Sequence, residues 1–294
     1  IFKNRVKISY ELLEDDKITY EKLLQHIIEN KEKQQKILVE FIKKDSAYTF
    51  YQMLIESKEI ECDVKCITGD DSIYEREKIL NPIKSGEMKD LILVATQVIE
   101  AGVDIDMDVG YKNVSLLDSE EQFMGRINRS CKEDGKGIVY FFNLNKATNI
   151  YKGDERVAQK NLTLFNDDMK EVLLKKNFNY YYQKLLKTLA NRAKKPGEKN
   201  VPDFFIESVA CLDYQAVSKR MELILDTRDR VTIFLGRTVI NIDGEEFDGK
   251  AIWNQYVDLL KNNEMDYAKK VYELSVVKSM MNYFMYQVIK KNPI

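Results

Sequence analysis

The stretch LILVATQVIEAGVDIDMD, residues 91–108, begins as a continuous apolar run and changes at Thr96 to a loop rich in acidic residues. A continuous run, unlike an alternating one, is typical of a strand that is covered on both faces. Comparable runs occur along the first half of the chain: KILVEFI (36–42), VKCIT (64–68), NVSLLD (113–118) and GIVYFF (137–142). Helical patterns separate several of them, such as SAYTFYQMLIES (46–57) and SIYEREKILNPIK (72–84). This alternation predicts an α/β fold with a parallel sheet flanked by helices.

Parallel sheets bind their ligands at the carboxyl ends of the strands. The loops after Ile42, Thr68, Thr96 and Asp118 are therefore the expected place for a site. The segment RVKISYELL (5–13) predicts one further strand, which leads into a helix that contains His26.

Past residue 150 the pattern changes. Helical spacing runs over 154–192 and is followed by the loop KKPGEKNVP (194–202). A strand or hairpin over 228–247 ends at the turn Asp243-Gly244, and two helices are predicted at about 249–262 and 264–291. We expect a sheet domain at 1–150, linker helices at 151–202 and a mostly helical C-terminal domain with a small hairpin at 203–294.

Composition excludes several classes of function. With 44% hydrophobic and 32% charged residues, the chain can bury a core. Its single histidine, His26, lies in a helical pattern and cannot build a Ser-His-Asp triad or a multi-histidine metal site. Four cysteines in so long a chain favour buried free thiols in a reducing cytoplasm, and we predict no metal site. No apolar run approaches the ~20 residues of a membrane span.

Charge divides unequally along the chain. Residues 1–150 carry 22 basic and 28 acidic side chains, a net −6, so the overall −2 leaves +4 for residues 151–294. The second part is the better candidate for a surface that binds a polyanion. The chain begins at Ile1 rather than at a methionine, which favours a piece of a longer protein.

Two motifs stand in order behind predicted strands: TQVIEAGVDID (96–106) and EEQFMGRINRS (120–130). Together they resemble motifs V and VI of the second RecA-like lobe of superfamily 2 helicases. Their wording is similar to that of the CRISPR-associated helicase-nuclease of type I systems, which degrades target DNA. The resemblance extends over residues ~35–145. It implies a RecA-like lobe in 1–150, followed by a linker helix and a small C-terminal domain.

The resemblance also implies an ATP site between this lobe and a first lobe. Arg126 and Arg129, taken as one helical turn apart, are the candidate catalytic arginines that reach the γ-phosphate across the cleft. A planar guanidinium suits that role because it binds phosphate oxygens bidentately. Gln122 is implied to face the nucleotide, and Gly125 to allow a close backbone approach. The alternative is an exposed helix whose arginines only cover surface.

In the first motif, Gly102 permits a tight turn and Asp104 is implied to face the nucleotide or to couple with the arginines. Gln97 and Glu100 are implied to transmit between the nucleic-acid and ATP sites. Asp106 and Asp108 are expected to be solvated. The implied nucleic-acid contacts are made by Thr96, through its hydroxyl and backbone amide, and by Gln97, Thr68 and Arg76.

Departures from the family pattern bear on this assignment. Phe123 follows the motif VI glutamine where the family commonly has arginine, so one cationic contact is missing or comes from elsewhere. The chain contains no GxxxxGK[ST] loop and no DExH run. ATP with Mg²⁺ would therefore be held mainly by the first lobe, and the chain would be inactive in ATP hydrolysis on its own.

Three hypotheses follow. The first is the C-terminal part of an ATP-dependent single-stranded DNA translocase of CRISPR interference. Its partners would be single-stranded DNA, the first lobe, a histidine-aspartate nuclease domain and the surveillance complex Cascade. The second is a lobe of a superfamily 2 helicase outside CRISPR, acting on RNA or in DNA repair. The third is a non-catalytic docking subunit. A histidine-rich nuclease domain upstream of Ile1 would favour the first.

Overall fold

A six-stranded parallel sheet organises the first half of the chain. The computed structural model describes residues 5–14, 18–100, 102–131, 137–193, 204–221, 230–240 and 244–289. The strand order in the sheet is β1-β6-β5-β2-β4-β3, and every neighbouring pair is parallel. The strands are β1 (Val6–Ser9), β2 (Lys36–Glu40), β3 (Asp63–Ile67), β4 (Leu91–Ala95), β5 (Val109–Asn113) and β6 (Gly137–Phe142). The predicted α/β fold is confirmed, including the additional first strand.

Helices cover both faces of this sheet. The helices are α1 (Glu11–Glu14), α2 (Tyr20–Asn30), α3 (Lys44–Glu56), α4 (Ile73–Ser85), α5 (Leu117–Met124), α6 (Ala147–Ile150), α7 (Glu155–Ala158), α8 (Asp167–Lys175) and α9 (Phe178–Ala193). Short 3₁₀ turns lie at Gln97–Ile99 and Lys160–Leu162. Two apolar cores result, as expected for a sheet buried on both sides. One core contains α2 and α3, and the other contains α4, α5 and α8.

The predicted strand NVSLLD (113–118) was placed too late in the chain. The strand is VGYKN (109–113), and residues 114–116 already lead out of the sheet. The pattern misled because the strand contains a lysine: Lys112 is completely buried, although a lysine in an apolar strand is rare.

The linker helices pack on the sheet domain. Met169, Val172 and Leu173 of α8 and Tyr181 of α9 belong to the same core as α5. Polar contacts join the same elements, since Arg156 and Tyr182 both reach the carboxylate of Asp118 at the start of α5, at 3.2 and 2.8 Å. The helical expectation for 154–192 is confirmed, in several pieces. The proposed boundaries at 150 and 202 stay a prediction.

The C-terminal part combines helices with two small antiparallel sheets. Its elements are a π-helical turn (Phe205–Val209), α10 (Tyr214–Arg220), β7 (Arg230–Phe234), β8 (Thr238–Ile240), β9 (Glu246–Asp248), α11 (Gly249–Lys261), α12 (Tyr267–Met281) and β10 (Met285–Ile289). The predicted hairpin is β8–β9, whereas β7 pairs with β10. The expected helix over 264–291 is wrong beyond residue 281, where the aromatic and β-branched run YFMYQVI favours a strand.

This part contacts the sheet domain at the start of α4. The Glu75 carboxylate accepts from Nη2 of Arg237 at 3.1 Å and from the hydroxyl of Tyr286 at 3.3 Å. Glu75 is also the partner of Ser72 in the capping box of α4. Tyr74 packs beside the C-terminal core.

Candidate functional site: the 96–108 turn and the GRINR segment

The segment between β4 and β5 forms a crossover rather than a simple loop. It starts in the 3₁₀ turn Gln97–Ile99 and reverses at Gly102, whose φ is +73°, a conformation that is strained for residues with a side chain. Ile105 and Met107 are buried in the core, which fixes the descending half of the crossover along the face that carries α5. The predicted tight turn at Gly102 is confirmed.

The second motif is not a continuous helix. Helix α5 ends at Met124, and Ile127 then forms a parallel bridge with Met107. The amide of Met107 donates to the carbonyl of Arg126 at 2.9 Å, and the amide of Asn128 donates to the carbonyl of Met107 at 2.7 Å. Asn128 has φ +44°, which an asparagine tolerates better than most residues.

The premise that Arg126 and Arg129 lie one helical turn apart is therefore wrong. The buried side chain of Ile127 pulls the chain into the core after Gly125 and ends the helix. The two arginines lie on an irregular segment after α5. This segment pairs with the crossover at Met107, two residues before β5 begins. That the loops at the carboxyl ends of the strands hold the site stays a prediction.

Arg126 is bound to the first motif. Its Nε donates to the carbonyl of Ile99 at 3.2 Å, and its Nη2 donates to the carbonyl of Glu100 at 2.6 Å. Burial, followed by the nearby charge of Arg129, lowers the pKa of Arg126. The side chain is half-buried, so its guanidinium is oriented by the turn that it touches.

Arg129 is more exposed and pairs with an acid of the crossover. Its Nε lies 2.9 Å from Oδ1 of Asp104, and its side chain is 42% exposed. Its backbone amide donates to Asp106 at 2.7 Å. Asp108 accepts from the amide of Lys36 at 2.8 Å. Asp106 and Asp108 are thus structural acceptors and not solvated as expected, while Asp104 is the exposed acid that contacts an arginine.

The other residues predicted to line the nucleotide site differ in exposure. Gln122 lies exposed on α5. Gly125 follows the last helical residue, and a Cβ there would lie 2.9 Å from the carbonyl oxygen of Gln122, so a side chain would crowd the helix end itself. Phe123 is completely buried, and a side chain at this position faces the core rather than the arginines.

The predicted nucleic-acid residues lie at the carboxyl ends of β3 and β4. The amide of Thr96 donates to the carbonyl of Ile67 at 3.1 Å, so the expectation that this amide would be free for a phosphate is wrong. Thr68 is completely buried, and its amide and hydroxyl both donate to Asp71.

The other two predicted nucleic-acid residues, Arg76 and Gln97, donate hydrogen bonds to backbone carbonyls. Arg76 donates to the carbonyls of Thr68 and Gly69, each at 3.3 Å. Gln97 donates to the hydroxyl of Tyr151 at 3.0 Å and to the carbonyl of Ile42 at 3.5 Å. Arg76 of α4 thus contacts the loop that Thr68 begins, and Thr96 and Gln97 begin the crossover. Their contact with nucleic acid stays a prediction.

The sequence interpretation missed a buried ionic cluster beneath the crossover. We call it the Lys112 cluster, and its members are Lys112, Glu40, Glu100, Ser119 and Glu120. Glu40 and Lys112 are register partners on β2 and β5, so both side chains point to the face that carries α5. Charges of opposite sign inside the apolar strands KILVE and VGYKN were the available signal.

Of the five lysines in the described range 167–193, four are paired with acids. The described pairs are Lys170–Asp167, Lys175–Glu171, Lys176–Glu121 and Lys184–Asp168. This neutralisation weakens the case for α8 and α9 as a polyanion surface. Tyr181 is buried, whereas Tyr180 and Tyr182 are exposed.

Within the part of the chain that the structure describes, no group of three or more histidine, cysteine, aspartate or glutamate side chains is arranged to hold a metal ion. None of the helices described is both long and apolar enough to cross a membrane.

The parallel sheet, the crossover and the GRINR segment form the RecA-like arrangement that the two motifs predict. Residues 31–132, about a third of the chain, match the family model described as CRISPR-associated nuclease/helicase Cas3, C-terminal. This segment is therefore similar to the C-terminal part of the Cas3 helicases, which confirms the resemblance inferred from the motifs.

Curated relatives match over similar short regions. The chain is 36% identical over 99 residues to the probable ATP-dependent RNA helicase DDX17 of Mus musculus, which covers 32% of this chain and 15% of that protein. It is 34% identical over 71 residues to the CRISPR-associated nuclease/helicase Cas3 of Methanothermobacter thermautotrophicus, which covers 23% of this chain and 9% of that protein. The chain thus spans a small part of the length of these relatives.

Two solved structures align with this chain. T. fusca Cas3-AMPPNP aligns with a TM-score of 0.48 and 12% identity, over 98% of this chain and 36% of that one. The C-terminal domain of the DEAD-box protein Dbp5 aligns with a TM-score of 0.37 and 18% identity, over 50% of this chain and 82% of that one. At these scores, the family assignment comes from the sequence matches alone.

Proposed function

We propose that this chain supplies the second RecA-like lobe and C-terminal domain of an ATP-dependent single-stranded DNA translocase of CRISPR interference. The observation that carries the proposal is the contact between the two motifs. Arg126 binds the carbonyls of residues 99 and 100, and Arg129 binds Asp104, so both arginines are held against the crossover that begins at Thr96. A shift of the crossover on nucleic-acid binding would therefore move the arginines.

The donor chemistry of this region fits a nucleotide phosphate. Arg129 meets Asp104 through Nε, and its side chain is 42% exposed. A guanidinium in this state can bind phosphate oxygens while the acid fixes its orientation. Arg126 and Arg129 would hold the γ-phosphate, with Gln122 beside them. ATP with Mg²⁺ would supply the hydrolysable phosphoanhydride, gripped mainly by a first lobe.

The partners follow from the proposed enzyme. Single-stranded DNA would pass the carboxyl ends of β3 and β4, near Thr68, Arg76, Thr96 and Gln97. The first RecA-like lobe and a histidine-aspartate nuclease domain would belong to the same protein, and Cascade would recruit it. Without the first lobe, the chain should not hydrolyse ATP.

The test measures DNA-stimulated ATP hydrolysis by a protein that contains both lobes. We expect Arg126→Ala and Arg129→Ala each to lower kcat by about 10³-fold, because trans-acting arginines contribute ~10³–10⁵ in related hydrolases. The KM for ATP should change less, since the arginines act mainly on charge that develops in the transition state.

Arg220→Ala is the matched control, since it removes an exposed arginine of α10 in the C-terminal part. It should retain the parent rate. Full turnover in both site variants would show that neither arginine acts on the nucleotide.

A second candidate is an RNA helicase lobe outside CRISPR. It is favoured by the 36% identity to an ATP-dependent RNA helicase, which exceeds the 34% identity to the Cas3 relative. The same assay distinguishes the two. Stimulation by single-stranded RNA but not by single-stranded DNA would replace the first proposal with this one.

A further inference from the structure

Lys112 is the centre of a buried contact between three elements. Its Nζ donates to Glu40 on the neighbouring strand, to Glu100 of the crossover at 2.9 Å and to Ser119 of α5 at 3.0 Å. Glu120 of α5 lies 3.8 Å away. The side chains of Lys112 and Glu40 are completely buried, and that of Glu100 is 13% exposed at the surface end of the cluster.

The charges of the cluster explain its protonation. One lysine cannot neutralise three ionised carboxyls in a buried space, so protons must be retained. Burial raises the pKa of Glu40 well above its usual value, and burial also raises the pKa of Glu120 to about 7. Burial alone would lower the pKa of Lys112, but the three carboxyls outweigh it and raise the pKa.

Glu100 carries the charge that Lys112 holds most directly at the crossover. Although burial opposes ionisation, Lys112 and the hydrogen bonds from Glu40 and Ser119 lower the pKa of Glu100. The ionised carboxylate is thus fixed to Lys112 and Ser119 at the same time. This ties the crossover to β5 and α5.

The opposite end of the same residue holds Arg126. The backbone carbonyl of Glu100 accepts from Nη2 of Arg126 at 2.6 Å, while its side chain accepts from Lys112. A displacement of the Glu100 side chain is therefore transmitted to the acceptor that orients the guanidinium. Glu100 thus contacts Lys112 through its side chain and Arg126 through its backbone.

A buried ionic cluster of this kind does not require a stability role. Apolar residues of similar volume often stabilise a core as well or better than buried ion pairs do. What charged partners add is geometry, because a displaced partner leaves an uncompensated buried charge. The cluster thus restricts where the Glu100 turn can lie.

We propose that Lys112 is a positioning residue for ATP hydrolysis, which holds Arg126 in place through Glu100. The inference rests on the proposed function, since it requires Arg126 to act on the nucleotide. Lys112 itself, being completely buried, does not touch the substrate.

The experiment separates positioning from packing with a charge-balanced variant. Lys112→Met combined with Glu100→Gln removes the lysine together with the ionised carboxylate that it holds, in a protein that contains both lobes. We expect a Tm near that of the parent and a DNA-stimulated kcat lowered about tenfold or more, because small displacements of catalytic groups are costly. Recovery of kcat together with Tm would show that Lys112 only packs the core and would overturn the proposal.

Glu100→Gln provides a second variant with a milder change. Its side chain reaches the surface, so folding is less at risk, and the substitution removes the charge that Lys112 holds. We again expect kcat to fall, with little change in the KM for ATP. Glu121→Gln is the matched control, because it removes an ion pair from α5 outside the cluster, and it should leave kcat unchanged.

A double-mutant cycle with Arg126→Ala identifies the route. If Lys112 and Glu100 act through Arg126, adding Glu100→Gln to Arg126→Ala should lower kcat by less than about twofold further. Multiplicative losses would overturn the positioning role while leaving the arginine proposal intact. An Arg126→Ala variant with the parent rate would instead overturn both.

Discussion

Two arginines of one short motif have different environments. Arg126 is half-buried and donates hydrogen bonds to carbonyls of the crossover, whereas Arg129 is exposed and pairs with Asp104. In the proposed enzyme, the exposed Arg129 can adjust its position to the nucleotide, whereas the position of Arg126 depends on that of the crossover. The acids divide similarly, because Asp104 is exposed while Asp106 accepts a backbone amide.

At the same scale, Glu120 gives the folded protein a pH dependence. Its pKa rises from an ordinary 4.5 to about 7 through burial. The folded state therefore keeps this proton at pH values where the unfolded chain has released it, and the stabilisation is lost as pH rises through about 7. Between pH 5 and 8, we expect the parent to lose roughly 1–3 kcal/mol of unfolding free energy relative to Glu120→Gln.

Urea unfolding at several pH values measures this difference. Glu121→Gln, on the surface of the same helix, should keep the pH slope of the parent. Parallel slopes for the parent and Glu120→Gln would contradict the buried, protonated state of this carboxyl.

At the scale of elements, helix α5 is fixed to β5 by close packing. Gly110 of β5 faces α5, and a Cβ there would lie 2.6 Å from Cε1 of Phe123 and 3.0 Å from the side chain of Ile127. The strand has a glycine at this position because the helix that precedes the GRINR segment lies directly on it. The packing also keeps Ile127 against Met107, where the crossover ends.

Gly110→Ala should therefore destabilise the protein by about 1–3 kcal/mol, since it overpacks a filled core. Differential scanning fluorimetry measures the shift in Tm. Gly69→Ala is the control, because the nearest atom to its added Cβ is 3.9 Å away on Val98. If Gly110→Ala melts at the same temperature as Gly69→Ala, the close contact between α5 and β5 is absent.

At the scale of the whole molecule, two of the described contacts that attach the later parts of the chain to the sheet domain differ in kind. Tyr181 of α9 is buried in the core that contains α5, and Arg237 and Tyr286 bind Glu75 at the start of α4. The first attachment is apolar and buried. The second is a partly exposed ion pair with a hydroxyl contact, which contributes about 0–1 kcal/mol.

The apolar attachment should dominate. Tyr181→Ala is expected to cost about 3–5 kcal/mol and to expose α9 to limited proteolysis, because it empties a completely buried aromatic site. Tyr180→Ala removes the neighbouring tyrosine, which is 42% exposed, and should have a much smaller effect. Equal losses in both variants would show that α9 is not held by Tyr181.

The sequence by itself determined the parallel sheet, its additional first strand, the helicase relationship and the turn at Gly102. These features depend on local properties that are visible in the sequence: continuous apolar runs, helical spacing and the order of motifs. The predictions from the sequence were wrong where contacts between separate elements override the local pattern. The strand that contains Lys112 was misplaced because this lysine is paired by residues from β2, the crossover and α5. A helix was expected to continue through Arg129. It ends earlier because Ile127 packs beside Met107, a contact that the local pattern does not show.

Only the tertiary structure decided which groups meet. Glu40, Glu100 and Lys112 lie far apart in sequence, and their contact depends on strand order and on the face to which each side chain points. The same holds for the carbonyls that orient Arg126 and for the acid that pairs with Arg129. Sequence patterns report burial and periodicity, whereas a hydrogen bond between separate elements depends on the packing of the whole sheet domain.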